Sequence, residues 1–128
     1  MRNYEAMREI LFKVSMEREV ALMDMKSLIK NDLNSREDIV QEIERLKDEG
    51  LIISDMQFDN SGALNAGTIK GLTNEGVEFL RFIENPDVWE ICAKTLNDAK
   101  VDLSYPFLKE VCEEIVKRYV MSKIPDSF

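Results

Sequence analysis

Two thiols are the side chains of this sequence best suited to nucleophilic or metal-binding chemistry. They belong to Cys92 and Cys112, and the 128 residues contain no histidine. Two cysteines without histidine leave the usual zinc-ligand sets unfilled, so we expect no metal site. Both cysteines stand in apolar, helical patterns, which favours buried and reduced thiols, and a disulfide between two helices is the alternative.

Carboxylates are the second source of chemistry, and the pairs Asp48-Glu49 and Glu113-Glu114 stand next to each other. Adjacent residues on a helix point about 100° apart, so these pairs do not face a common substrate. The sequence also lacks the glycine-rich motifs that bind phosphates or dinucleotides and the nucleophile-elbow motif. We therefore expect no catalytic residues, no cofactor and no enzymatic activity.

The composition predicts one globular domain. Hydrophobic residues make up 45% and charged residues 33% of the chain, which is typical of folded proteins of this length. We predict a single domain over 1–122 and a frayed tail over 123–128. The N-terminus lacks the apolar region of a signal peptide, and the chain has no run of about 18 apolar residues. We expect a cytoplasmic protein with no membrane partner.

Apolar spacing in the first 50 residues predicts three helices and one short strand. The first helix covers 3–17, the strand covers 20–23, and a brief helix covers 24–30. The clearest helix follows Ser35 as its N-cap and ends at Gly50, which enters the left-handed region without a Cβ penalty. Its predicted buried residues are Ile39, Ile43 and Leu46.

A β-hairpin follows directly, with strands at 51–58 and 68–72 around a turn-rich segment at 59–67. The pattern places Ile52, Met56 and Phe58 on one side of its first strand. A helix pair followed by a hairpin is the order of a winged helix. We therefore predict an α+β, mostly α, winged-helix-type domain with a small antiparallel β-hairpin as its wing and extra C-terminal helices. The helix at 35–50 takes the place of the recognition helix.

Three helices follow the hairpin, and each has a start signal. Thr73 caps the first, Asn85 and Pro86 begin the second, and Ser104 opens the third. Their predicted inward residues are Val77, Leu80 and Ile83, then Trp89, Cys92 and Leu96, then Phe107, Leu108, Val111, Cys112, Ile115 and Val116.

One stretch carries a family resemblance. It reads Gly-Leu-Thr-Asn-Glu-Gly-Val-Glu-Phe-Leu over 71–80 and Pro-Asp-Val-Trp over 86–89. In both parts the chain resembles the YjcQ-like winged-helix family of uncharacterised bacterial and phage proteins. Relatives often carry histidine where this chain has Val77, and the helix at 35–49 is more charged here. The resemblance implies a winged helix in a phage or mobile-element setting, and it brings no active site.

DNA binding is the function that a winged helix suggests, but the charges of this chain oppose it. The net charge is −8, and the segment 35–49 holds three bases against six acids. The segment 51–69 contains no lysine or arginine, although a wing that contacts DNA usually needs one. The candidate phosphate contacts are Lys26, Lys30 and Arg36, with Arg2 and Arg8 as additions to this patch.

Protein binding is the alternative that the charges favour. An acidic face would suit a basic partner, such as the nucleic-acid channel of another protein, in the manner of a DNA-mimicking, anti-defence inhibitor. The candidate residues of this face are Glu37, Glu42, Asp55 and Asp59.

Self-association through the apolar face of the last helix is a third hypothesis. The candidate residues of a homodimer interface are Phe107, Val111 and Tyr119, and the alternative is that this face packs on the first helix. Taken together, the sequence predicts a non-enzymatic, regulatory winged-helix protein that acts by macromolecular binding. Whether the partner is DNA or a protein stays open at this point.

Overall fold

A computed structural model describes residues 2–17, 19–21, 36–61, 64–100 and 102–124, with all of their side chains except those of residues 36 and 64–66. In these ranges the chain forms five helices and three strands. They are α1 (Tyr4–Met16), β1 (Val20–Ala21), α2 (Arg36–Asp48), β2 (Ile52–Phe58), β3 (Leu64–Leu72), α3 (Asn74–Ile83), α4 (Pro86–Ala99) and α5 (Tyr105–Lys123). The predicted brief helix at 24–30 and the predicted tail after residue 124 lie outside the described residues.

The three strands form one antiparallel sheet in the order β1-β3-β2. The wing hairpin pairs Ile52 with Leu72 at its base and Phe58 with Leu64 at its tip, and β1 joins through the pair Val20 and Ile69. The first helix packs on α2 and on β3. This arrangement confirms the predicted α+β, mostly helical, winged-helix-like fold.

The chain divides into two compact units. Residues 3–78 form one, here called the winged-helix unit, and residues 1–2 with 79–128 form the other, here called the helical unit. The winged-helix unit contains α1, α2 and the sheet, and the helical unit contains α4 and α5. The boundary falls inside α3. The single domain over 1–122 stays a prediction.

The wing is longer, and its tip shorter, than the sequence predicted. The predicted tip at 59–67 is wrong because β3 begins at Leu64, and the backbones of Ala66 and Gly67 pair with Gln57 and Met56. Ladder hydrogen bonds with β2 override the turn propensity of these small residues. Phe58 was predicted to lie on the same side as Ile52, but Ile52 is buried whereas Phe58 is 44% exposed. A register irregularity between Gln57 and Phe58 breaks the alternation of the strand there.

A Schellman motif fixes the end of α2. Gly50 takes a left-handed φ of 78°, its N–H donates to the carbonyl of Lys47 at 3.0 Å, and the N–H of Leu51 donates to the carbonyl of Leu46 at 2.9 Å. Leu46 and Leu51 are both fully buried, as are Ile39 and Ile43. The predicted buried stripe of α2 is therefore confirmed.

The start of α3 is fastened to this same turn. The hydroxyl of Thr73 accepts from the N–H of Gly76 at 3.0 Å, which confirms Thr73 as the cap, and donates to the carbonyl of Gly50 at 2.5 Å. The N–H of Thr73 also donates to the carbonyl of Leu51 at 3.0 Å. The two ends of the wing hairpin are therefore held together by hydrogen bonds.

The buried stripe of α3 lies one residue earlier than predicted at its N-terminal end. Val77 was predicted to be buried but is 40% exposed, whereas Gly76 is buried together with Phe79, Leu80 and Ile83. The physical reason is contact with the turn at Leu51, whose carbonyl lies where a side chain at position 76 would begin. Glycine at 76 permits this approach and turns Val77 away from the core.

The helical unit is built on an antiparallel pair of helices. Asn85 caps α4 by accepting from the N–H groups of Asp87 and Val88 at 2.9 and 3.3 Å, as predicted. The hydroxyl of Tyr119, near the end of α5, donates to Asp87 at 3.3 Å, so the two helices run in opposite directions. Phe107 was predicted to face inward but is 60% exposed.

Tyr105 takes the inward place that the sequence assigned to Phe107. It is 8% exposed and meets the ring of Phe79 edge-on, with centroids 5.3 Å apart. An aromatic pair of this geometry contributes beyond its buried area. The first residue of α5 therefore anchors the helix and turns Phe107 toward solvent.

We expect Gly76→Ala to destabilise the protein, although alanine is the better helix former by about 1 kcal/mol. The added Cβ would overlap the carbonyl oxygen of Leu51 and would lie 3.0 Å from its carbon. Overpacking of this kind typically costs about 1–3 kcal/mol. Urea unfolding should show a lower free energy of unfolding than for the wild type.

The matched control is Asn74→Ala, at an exposed position of the same helix. It should change the free energy of unfolding by only about 0.5 kcal/mol or less. A Gly76→Ala variant as stable as this control would show that α3 does not approach Leu51 closely.

Candidate functional site

The solvent-facing side of α2 carries a row of acidic residues. Glu37, Gln41, Glu44 and Asp48 follow one another at spacings of four, three and four residues, which places them on one face of the helix. We call these four residues the acidic ridge. Three of them are exposed and Glu44 is half-buried. The ridge is about 16 Å long at a rise of 1.5 Å per residue.

The buried stripe of α2 determines where this ridge points. Ile39, Ile43 and Leu46 are 0–1% exposed, and the ridge lies on the opposite side of the helix because its residues are offset from them by about half a turn. Arg45 and Lys47, the basic residues of the helix whose side chains are described, lie beside the ridge rather than on it. Arg45 pairs with Glu49 at 4.0 Å, and Lys47 is exposed on one flank.

Glu42 is the one predicted acidic contact on α2 that the structure removes from the surface. It is only 5% exposed, because it lies within one turn of Ile39, Ile43 and Leu46 on the buried side of the helix. Glu44 and Asp48 belong in its place. The net charge of the helix does not identify Glu44 and Asp48, whereas their spacing of seven and eleven residues from Glu37 places them on the same face as Glu37.

The wing adds acidic and apolar groups to the winged-helix unit. Asp55 is exposed on β2, and Ile53 on the same strand is 52% exposed. Asp59 is exposed as predicted, but its carboxylate also builds the turn, because it accepts from the N–H of Ser61 at 2.9 Å and from its hydroxyl at 2.6 Å. Lys70 is the one basic residue in the sequence 52–72.

The predicted DNA contacts are not assembled by the described structure. Lys26 and Lys30 lie outside the described residues, and Arg36 begins α2 with a side chain that is not described. Arg2 was predicted to extend the patch but is 5% exposed, so it does not belong to a surface patch. Arg8 is half-buried, with its guanidinium 4.6 Å from the centre of the Phe12 ring.

The predicted dimer residues differ in how they are used. Phe107 is exposed, Val111 is half-buried, and Tyr119 is half-buried with its hydroxyl bonded to Asp87 within the helical unit. Tyr119 therefore contributes to the packing of α4 against α5. Phe107 alone of the three presents most of its side chain to solvent.

The thiols are placed for packing rather than for chemistry. Cys92 and Cys112 are both free and fully buried, which confirms the predicted buried, reduced pair. The hydrogen bond between the two thiols lowers the pKa of Cys92 and, together with burial, raises the pKa of Cys112. Across the described ranges, no three or more acidic or thiol side chains are grouped as metal ligands.

None of the helices in the described part of the chain is long and apolar enough to cross a membrane.

Comparison with known proteins identifies one family. The family described as "Hypothetical protein (DUF2513)" matches residues 1–102. The match therefore covers the winged-helix unit and α4, and it ends before α5 begins at Tyr105. Neither the curated proteins nor the solved structures include a match to this chain.

We expect both thiols of the native protein to resist an aromatic disulfide reagent at pH 8. Each thiol is buried, and a raised pKa keeps Cys112 protonated and unreactive. Absorbance of the released thiolate should show no fast reaction in buffer and two reactive thiols per chain in denaturing urea. Rapid modification without denaturant would contradict the burial of this pair.

We expect Asp48→Asn to raise the free energy of unfolding by about 0.3–1 kcal/mol. Asp48 is the last residue of α2, at the negative end of the helix dipole and one turn after Glu44. Glu37→Gln is the matched change in the first turn, where a carboxylate is favourable, and it should lower the free energy of unfolding. Urea unfolding at low and high salt checks both signs, since salt screens each effect. Equal signs for the two variants would contradict the assignment.

Proposed function

The chain belongs to the DUF2513 family of hypothetical proteins, and we propose that it is a non-enzymatic winged-helix protein that acts by binding a partner protein with a basic surface. The acidic ridge of α2 is the observation that carries this proposal. In a winged helix this helix is the element that enters the DNA groove. Here the same element presents Glu37, Glu44 and Asp48.

Electrostatics favour a basic protein over nucleic acid at this surface. Phosphate binding depends on lysine and arginine side chains that displace counterions, and the ridge offers only carboxylates and one amide. Its length of about 16 Å exceeds the Debye length of about 8 Å at physiological salt, so its charges act together only on a partner that lies along it. Electrostatic attraction speeds the association of such a partner, and electrostatic repulsion disfavours acidic competitors.

The wing supplies the apolar part of such an interface. Ile53 and Phe58 are 52% and 44% exposed on β2, and interfaces usually combine a few large apolar anchors with a charged rim. The proposed partner therefore carries lysine or arginine residues beside an apolar patch. The nucleic-acid channel of another protein has this character.

A regulatory role in a phage or mobile-element setting fits this chemistry. As part of the same proposal, residues 71–89 suggest a YjcQ-like winged-helix protein. The proposed activity is inhibition of a nucleic-acid-binding protein by an acidic surface that mimics DNA. The reduced state expected of Cys92 and Cys112 fits a cytoplasmic site of action. DNA binding through Lys26, Lys30 and Arg36 is the form that the fold class alone would suggest.

Binding to a labelled lysine- and arginine-rich peptide tests the proposal, with labelled duplex DNA titrated in parallel. The wild type should bind the peptide at low ionic strength and release it as salt is added. The triple variant Glu37→Gln, Glu44→Gln, Asp48→Asn should bind it about tenfold more weakly, which corresponds to about 1.4 kcal/mol. Fluorescence anisotropy measures both interactions.

A control variant separates the ridge from the net charge. Glu84→Gln, Glu90→Gln and Asp98→Asn change the net charge by the same amount at exposed positions of the helical unit. This control should bind the peptide as the wild type does. Equal losses in the two triple variants would show that only net charge matters and would overturn the proposal. Salt-sensitive binding of the wild type to DNA, with no binding to the peptide, would replace it with the DNA-binding form.

A further inference from the structure

The outward side of α5 carries six exposed residues in an ordered pattern. The buried side of this helix is formed by Tyr105, Leu108 and Cys112. The opposite side, here called the α5 strip, consists of Phe107, Glu110, Glu114, Lys117, Arg118 and Met121, all of which are exposed. In chain order the strip reads apolar, acid, acid, base, base, apolar.

The helix dipole does not account for this order. Dipole effects are confined to the first and last turns, and the four charged residues of the strip lie in the middle of a 19-residue helix. Glu114 and Arg118 form an ion pair at 3.2 Å, but their side chains are 57% and 80% exposed. Exposed pairs of this kind contribute little to stability, so Arg118 is available to exchange its partner.

The two ends of the strip are its most exposed apolar residues. Phe107 is 60% exposed and Met121 is 67% exposed, and they lie about 21 Å apart along the helix. Both are large, and a methionine thioether packs favourably against an aromatic ring. When two copies of this strip run antiparallel, the aromatic residue of each copy faces the methionine of the other.

We infer that a second copy of this chain packs antiparallel along the α5 strip, about a two-fold axis near Glu114. In that pairing Phe107 of one protomer meets Met121 of its partner, and Glu110 meets Arg118. Glu114 then lies opposite its own copy at the axis, with Lys117 of the partner about one turn away. Every contact away from the axis occurs twice, as an isologous interface requires.

The order of charges selects this pairing over the parallel one. Parallel helices in register would place Glu110 against Glu110 and Arg118 against Arg118, and like charges opposed across an interface are unfavourable. The antiparallel pairing instead opposes Glu110 to Arg118 twice, and Glu114 alone faces its own copy, with Lys117 of the partner about one turn away. A second copy of the chain therefore gives Arg118 of each protomer an acidic partner and brings the apolar ends of the two strips together.

The size of the strip sets the strength of the dimer. One helix face about 21 Å long and about 10 Å wide covers less than the roughly 800 Å² per partner of a standard interface. We therefore expect a dimer that dissociates on dilution and on addition of salt. The residues that form it differ from those of the acidic ridge, which lies on α2.

Sedimentation velocity over a range of concentrations tests the proposal through charge reversal. The variant Glu110→Lys, Glu114→Lys makes every charge of the strip positive, and Lys117→Glu, Arg118→Glu makes every charge negative. Each variant alone should dimerise at least about tenfold more weakly than the wild type, and an equimolar mixture should recover dimerisation as a heterodimer. Recovery on mixing also shows that both variants are folded.

A reversal of charge elsewhere on the helical unit is the control. Glu90→Lys with Asp98→Lys, at exposed positions of α4, should leave dimerisation unchanged. Phe107→Ser should weaken the wild-type dimer without changing its dependence on salt. A wild type that stays monomeric at high concentration and low salt would overturn the proposal. Variants that dimerise as the wild type does, or a mixture that stays monomeric, would overturn it too.

Discussion

The close approach of α3 to the backbone of Leu51 is the contact on which the winged-helix unit depends. Gly76 has no Cβ and can lie against this carbonyl group, and Thr73 satisfies the carbonyls of Gly50 and Leu51 with its hydroxyl and its N–H. These carbonyls follow the end of α2 and have no intrahelical partners. The segment of Gly50 and Leu51 therefore ends α2, begins the wing hairpin and accepts hydrogen bonds from Thr73, which follows the second strand of the hairpin.

This junction also sets the rotation of α2. The Schellman motif brings the N–H of Leu51 to the carbonyl of Leu46, and both side chains are fully buried. Because Leu46 is fixed in the core, the helical repeat also determines which residues of α2 face solvent. Glu37, Glu44 and Asp48 must face solvent, so the acidic ridge follows from the same packing that closes the wing.

Local signals in the sequence predicted the elements well, because caps and helical periodicity act within a few residues. The caps at Asn85 and Thr73, the terminator Gly50 and the buried stripe of α2 are all where the sequence placed them. The incorrect predictions result from contacts between residues far apart in the sequence, which no local pattern contains. Val77 faces outward because Gly76 meets Leu51, twenty-five residues earlier in the chain.

The candidate surfaces were predicted less well, for a related reason. A count of charges treats Glu42 and Glu44 alike, although a helical repeat places one beside the buried stripe and the other on the acidic ridge. Phe107 was assigned to the core because it is large and apolar, but Tyr105 and Leu108 fill that side of α5. Apolar character alone does not decide burial when a helix offers more apolar residues than one face accepts.

The charges of the two surfaces favour different partners for the two proposals. A row of one sign, as on α2, repels its own copy, whereas the α5 strip carries both signs and is complementary to its reverse. A dimer formed through α5, as proposed, would contain two acidic ridges, one on each chain. Two linked sites bind a partner with repeated basic surfaces more tightly than either site alone, provided that both are reached at once. A weak dimer of this kind would make partner binding depend on the concentration of the protein itself.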